Sequence, residues 1–222
     1  MDDNNPTTRK QIMTMLRRRG PLNAYDIAKQ LGISDIAVRR HLNNLERDRI
    51  VGVETVRQAM GRPTFVYSLT EQAEELFPKH YADITLEFLN DVQELQGPEA
   101  IEALFERREG RLEQKYKERL GGLSTQGDAD ELAARVDGLA AIQEERGYMA
   151  EWRKEERDGG GARYFITEHN CPIHAIAHSF NQACSSELSL FRKVLDADVE
   201  QLECKAKGGQ RCVYEVKPKA EP

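Results

Sequence analysis

The sequence predicts an α+β chain: a basic N-terminal domain of three helices and a hairpin, a charged helical middle, and a small C-terminal α+β domain with four cysteines. Three observations predict it. Residues 1–69 show short amphipathic helical stretches bounded by caps, then two β-rich runs. Residues 70–147 keep helical periodicity while alternating acidic and basic side chains. Residues 148–217 return to short β runs split by glycine-rich turns, and Cys171, Cys184, Cys204 and Cys212 all fall there, ahead of a frayed tail at 218–222.

The first helix is predicted over residues 7–19, with Ile12 and Leu16 four apart and Met15 beside them, and Gly20-Pro21 stops it. Asn23 is a favourable N-cap for a helix over 24–31, with Asp26 placed to reach back to it. Ile27 and Leu31 point inward, and Gly32 sits where a helix end wants a left-handed residue. Ser34 caps a third helix over 35–49, whose Val38, Leu42 and Leu45 form one apolar stripe. Runs at 51–56 and 64–69 read as strands joined by the turn-rich segment Ala59-Met60-Gly61-Arg62-Pro63. Three helices followed by a hairpin is the winged helix-turn-helix plan.

Thr70 opens a short helix, followed by helices over 80–95, 98–120 and 128–147, with Gly97-Pro98 and the 121–127 loop as breaks. Ile84, Phe88, Leu89 and Val92 are expected to face a bundle core, and part of this apolar surface to form a two-fold interface. In the last part, strands over 148–155 and 163–168 flank a turn at Asp158-Gly159-Gly160-Gly161. Helices follow over 172–180 and 185–195, then a second hairpin, 199–205 with 211–217, around Gly208-Gly209. The domains expected are therefore 1–69, 70–147 and 148–217.

Charge adds a functional reading. The net charge is −6, yet residues 1–69 hold twelve Lys and Arg against seven Asp and Glu, so the basic head sits on a strongly acidic body. A basic head of this kind fits a nucleic-acid reader joined to a sensing and dimerising body. No run approaches the length of a membrane span, and the N-terminus lacks a cationic segment followed by an apolar one. The expectation is a cytoplasmic protein that engages no membrane and has no structural disulfide.

In a helix-turn-helix the second helix of the pair enters the major groove and its N-terminal residues meet base edges. Here that helix begins at Ser34. Asp35, Arg39, Arg40, Asn43 and Asn44 are expected on its outer face, where Arg can grip guanine and Asn adenine through paired hydrogen bonds. Ser34 and Lys29 are expected on phosphates, and Arg57 and Arg62 of the wing on backbone or minor groove. The partner is then double-stranded DNA. The segments GPLNAYDIAKQLGIS at 20–34, AVRRHLNNL at 37–45 and MGRP at 60–63 resemble winged-helix regulators of the ArsR/DeoR type.

The cysteines are spaced C-x12-C-x19-C-x7-C, which is neither a zinc ribbon nor a CxxC redox motif. Cys171 and Cys184 are each expected at a helix N-terminus, where dipole and free N–H groups favour a thiolate. Cys204 and Cys212 are expected across one hairpin. Four thiolates suit zinc or an iron–sulfur cluster equally on softness, and His174 and His178, one helical turn apart, can complete a mixed zinc site. No glycine-rich phosphate loop or paired-carboxylate motif points to an enzyme, and no catalytic residue is expected.

The segments NCPIHAIAHSFNQAC at 170–184, SELSLF at 186–191 and ECKAKGGQRCVY at 203–214 resemble the C-terminal half of the SufR family, iron–sulfur-sensing repressors of suf cluster-assembly genes. With the winged helix in front, the resemblance spans nearly the whole chain. It implies a 4Fe-4S or 2Fe-2S cluster on Cys171, Cys184 and Cys212, with Cys204 at a further family cysteine position and a fourth ligand of oxygen, nitrogen or sulfur. His174 and His178 lie outside that family signal and keep zinc open, and the alternative reading is a winged-helix regulator that senses zinc or a small organic ligand through its C-terminal domain. The resemblance further implies a homodimer on an inverted-repeat operator, repressing when the cluster is bound.

Overall fold

In the computed structural model the described residues are 6–57, 62–121, 128–156 and 162–219, with the side chains of 6 and 128–130 excepted. They form two compact units, divided after Lys79. Among them no helix is long and apolar enough to cross a membrane.

The first unit begins with α1 (Pro6–Arg19), ended by Gly20 in the left-handed region. A two-residue strand, β1 (Leu22–Asn23), leads into α2 (Ala24–Leu31). The Asn23 Oδ1 accepts the Asp26 amide at 2.8 Å while the Asn23 Nδ2 donates to the Asp26 carboxylate at 2.8 Å. Gly32 closes α2 at φ +67°, a conformation that strains any residue with a Cβ. Ser34 then caps α3 (Asp35–Arg47), its Oγ accepting the Ala37 amide at 3.2 Å. The helix stops two residues short of the expected Arg49, because Arg49 takes a left-handed φ of +59° and its amide turns back to the Glu46 carbonyl.

Strands β2 (Val51–Val56) and β3 (Thr64–Leu69) pair in antiparallel register, Val51 with Leu69 through Val56 with Thr64. β1 adds to the far side of β3, giving the order β1-β3-β2. β1 leaves no signal in the sequence, since two residues carry no periodicity of their own. The core joins Ile12 and Leu16 of α1, Ile27 of α2, Val38, Leu42 and Leu45 of α3, and Tyr67 of β3. After β3 a 3-10 turn (Glu71–Leu76) follows Thr70, whose Oγ1 donates to the Arg49 carbonyl. The Glu74 carboxylate of that turn pairs with Arg17 of α1, and the same guanidinium lies over the Phe77 ring.

The second unit opens with α4 (Tyr81–Gln96), α5 (Pro98–Leu120) and α6 (Asp128–Glu145). Strands β4 (Ala150–Glu156) and β5 (Ala162–Glu168) follow, then α7 (His174–Ser179), α8 (Gln182–Leu195), β6 (Ala197–Glu203) and β7 (Cys212–Pro218). The sheet is antiparallel with order β4-β5-β7-β6, so the last strand inserts beside β5. Tyr164, Ile166, Tyr214 and Val216 on the sheet pack against Tyr116 of α5, Val136 and Leu139 of α6, and Phe191 and Leu195 of α8. The middle helices α5 and α6 therefore share one core with the cysteine-bearing sheet, and the expected divisions at 69/70 and 147/148 give way to one at 79/80.

Two expectations about the middle and end change. Leu89 and Val92 of α4 do pack inward, together with Leu86, but Ile84 and Phe88 point to solvent. Leu86, Leu89 and Val92 form the α4 contact face, and among the described residues nothing covers Ile84 and Phe88. The helix expected over 172–180 starts later, at His174, with Ile173 half inside it. The expected loop at 122–127, the glycine turn at 158–161, and Met60 and Gly61 of the wing turn lie outside the described residues.

Candidate functional site: the DNA-reading face and the cysteine pocket

On α3 the core takes Val38, His41, Leu42 and Leu45. At about 100° per residue, the outward direction falls on Ile36, Arg40, Asn43 and Arg47. Arg39, Arg40 and Asn43 are exposed, whereas Asp35 and Asn44 sit at the flanks and are half-buried. The Asp35 carboxylate accepts the Arg39 Nε at 2.6 Å, so the Arg39 guanidinium is drawn to one side of the stripe. Ser34, Lys29, Arg57 and Arg62 are all exposed; Arg57 and Arg62 border the wing tip. Ile36 and Arg47 were not among the residues singled out from sequence. Counting helical turns from the Val38–Leu45 stripe would have found both, but an apolar residue is not ordinarily sought on a polar face.

The cysteines come from four segments: Cys171 between β5 and α7, Cys184 in the first turn of α8, Cys204 just after β6, and Cys212 at the start of β7. All four are free thiols. Cys184 and Cys204 have their sulfurs 3.8 Å apart. The Lys205 amide donates to the Cys212 sulfur at 3.4 Å, so the backbone turn after Cys204 reaches across to β7. That turn needs glycine: Gly208 has φ +94°, and a Cβ on Gly209 would meet the Cys204 carbonyl at 2.9 Å. Cys171, Cys184 and Cys204 share an apolar cluster with Ile101 and Phe105 of α5 and Phe180, and Leu86, Leu89 and Val92 of α4 pack against it. Cys212 borders this cluster from the main core.

The electrostatics of the pocket differ from the expectation. Burial pushes the Cys171 thiol up to about 11 and the Cys184 and Cys212 thiols up to about 12. A helix end does not supply the stabilisation expected at Cys171: α7 has only six residues and begins three positions later. The Ile173 amide does hydrogen-bond the Cys171 sulfur, but desolvation outweighs it. The neighbouring Cys204 sulfur adds to the rise at Cys171, Cys184 and Cys212.

Two carboxyls lie behind the pocket. Glu168 pairs with Cys212 across β5 and β7, and Glu187 follows Cys184 by one turn of α8. The Gln143 side-chain amide donates to Glu168 at 2.7 Å, and Tyr214 donates to Glu187 at 3.1 Å. Burial, and then the Glu187 charge, hold the Glu168 carboxyl well above the usual carboxylate range. The His174 and His178 rings are exposed, with centroids 6.0 Å apart, and His178 faces the Ala206 carbonyl at 3.4 Å. Among the described residues no three His, Cys, Asp or Glu side chains are disposed to share one metal ion. A cleft of about 420 Å³, lined by Leu202, Cys204, Lys207 and Gly209 among others, opens beside Cys204.

Residues 6–53 match the family model described as bacterial regulatory protein, arsR family. Among solved structures, the Zα domain of Carassius auratus PKZ, in complex with Z-DNA, is 31% identical over 29% of this chain and 94% of that one, with TM-score 0.24. A transcriptional regulator homologue from Pyrococcus horikoshii is 27% identical over 32% of this chain and 68% of that one, TM-score 0.29. The adhesin competence repressor of Streptococcus pyogenes is 25% identical over 47% and 75%, TM-score 0.30. No curated protein matches the chain. The family match falls on the domain whose caps, turn and recognition helix are described above, and the chain is a DNA-binding transcriptional regulator with an ArsR-type winged helix at its N-terminal end.

Proposed function

We infer that the protein is a cluster-sensing repressor, its winged helix reading an inverted-repeat operator as a homodimer and its cysteine pocket taking up an iron–sulfur cluster. One observation carries the reading: four free thiols come from segments up to 41 residues apart, yet Cys171, Cys184 and Cys204 share one apolar cluster, and the Lys205 amide after Cys204 ties the Cys212 sulfur to it. Sulfur donors are the soft ligand type such a group takes, and loading requires the segments to draw together, because among the described residues no three of these side chains are disposed to share one metal ion. Cys171, Cys184 and Cys212 would hold it, with Cys204 as a fourth donor. When bound, the cluster supplies a redox-labile link between these segments. By its resemblance to the SufR family, the target is suf cluster-assembly genes.

The chain's own residues provide the coupling. Ligation needs thiolates, and burial keeps Cys171, Cys184 and Cys212 protonated, so loading releases protons and is favoured by rising pH. Drawing the four segments together would tighten the cluster of side chains on which Leu86, Leu89 and Val92 of α4 rest. α4 is the first helix after Lys79, so its seat is set by the pocket at one end and tethered to the DNA-reading unit at the other.

Zinc is the second reading, favoured by the 3.8 Å Cys184–Cys204 separation, which matches the sulfur–sulfur edge of a zinc tetrahedron with bonds of about 2.3 Å. Anaerobic reconstitution with iron and sulfide separates the two. A visible absorption band, lost in Cys171→Ser together with operator binding in a gel-shift assay, is the expected result. A colourless protein with stoichiometric zinc overturns the cluster reading. A Cys171→Ser variant that still binds the operator tightly overturns the coupling.

A further inference from the structure

The outward stripe of α3 has one residue whose chemistry does not match its surroundings. Ile36, in the first turn of the helix, is 80% exposed. It lies about 170° around the helix from the mean direction of Val38, His41, Leu42 and Leu45. No position on the helix is turned further from the core. A single exposed apolar side chain at an arbitrary surface site needs no explanation. This one stands at the N-terminal end of the recognition helix, the part that meets base edges when such a helix enters the major groove.

Its neighbours determine what it can meet. Arg40 and Asn43 follow it along the stripe, Arg39 flanks it, and Ser34 and Lys29 lie beside the turn; all are exposed. A surface this cationic is complementary to a phosphate-lined groove and not to an apolar protein face. The Asp35–Arg39 pair at 2.6 Å draws the Arg39 guanidinium toward Asp35 at the flank, leaving Ile36 prominent at the tip. Within the major groove the one apolar feature of a base edge is the thymine 5-methyl group.

We propose that Ile36 is a specificity-determining residue that reads a thymine methyl group in each operator half-site. Its branched side chain packs on that methyl, and Arg40 and Asn43 supply polar readout or phosphate contacts further along the helix. The contact disfavours cytosine at that position, since cytosine presents an amino group and no methyl.

The test uses the full-length protein. A randomised duplex library is enriched on the wild type, and affinities for the selected duplex are measured by fluorescence anisotropy at fixed salt. Each thymine is then replaced in turn by deoxyuridine, which removes only the methyl. One thymine per half-site is expected to be sensitive, losing about fourfold in affinity for its methyl. Ile36→Ala is expected to lose at least that factor on the thymine duplex and to become insensitive to deoxyuridine at the same position. Ile36→Val should retain sensitivity. Because the side chain is exposed and alanine is a good helix former, the alanine variant should fold, and an unchanged circular dichroism melt verifies this. The proposal is overturned if Ile36→Ala binds every duplex like the wild type, or if methyl removal weakens both proteins equally. Selection without a preferred thymine, or of no sequence at all, also overturns it, the latter at the level of sequence-specific DNA reading itself.

Discussion

Phe191 is the largest α8 side chain in the core that joins α8 to β7, which makes it an informative residue to remove. Phe191 is fully buried, and its ring meets Tyr214 edge-on with centroids 4.8 Å apart. It lies two helical turns after Cys184 on the same side of α8, Phe191 in the sheet core and Cys184 in the neighbouring cluster. Tyr214 lies two residues after Cys212 on the same face of β7. Phe191→Ala removes a buried ring and leaves a cavity at the centre of the second core, which costs about 3–5 kcal/mol, a large share of the stability of a domain. The protein offers a clean reporter. Trp152 is the only tryptophan; it packs against the second core, and its Nε1 donates to Asp137 at 2.8 Å. Urea unfolding followed by tryptophan fluorescence should shift its midpoint down by about 2 M for a typical denaturant slope. Amide exchange of α3 in the other core should be unchanged. A midpoint shift under about 0.5 M, or loss of α3 protection in step with the fluorescence, would refute the view that Phe191 clamps α8 to β7 within an independent core.

Three further outcomes follow from the same geometry. Ser34→Ala deletes the cap on the Ala37 amide and should destabilise α3 by about 1 kcal/mol, read as several-fold faster exchange of the first α3 amides; unchanged exchange would show that the cap contributes nothing. In the metal-free protein at pH 8, iodoacetamide should modify Cys171 well ahead of Cys184 and Cys212, because it is only half-buried and they are buried. Equal rates on peptide mapping would contradict the pocket. Glu215 is held below the usual carboxylate range by Lys217 at 2.7 Å and then Arg163 at 3.2 Å. A carboxyl depressed on folding stabilises above its unfolded value near 4.5 and loses that contribution as pH falls through its folded value. Glu215→Gln should therefore lower stability by about 1 kcal/mol at pH 7 and have little effect near pH 3, by the same fluorescence assay; an equal loss at both pH values would mean that the side chain acts through packing alone.

Much of the winged helix is legible because its signals are local. Asn23, Gly32 and Ser34 act within three or four residues of themselves, so their chemistry can be read without knowing what lies elsewhere in the chain. The same holds for the left-handed turn at Gly208. Ile36 escaped attention for a different reason: its spacing was readable, but only exposure in the folded domain shows that its apolar side chain is left uncovered.

The amino-acid sequence by itself determined the class of the fold, the helices and hairpins, the basic head and the presence of four cysteines late in the chain, because periodicity, capping and charge are properties of neighbouring residues. The tertiary structure alone decided that α5 and α6 belong to the cysteine domain, that β7 inserts beside β5, and that Ile84 and Phe88 face solvent. It also turned Cys171 from an expected helix-end thiolate into a half-buried thiol pushed up to about 11. These features depend on pairing and burial between residues far apart in sequence, and desolvation, which outweighs the local hydrogen bond at Cys171, exists only once the pocket has closed around it.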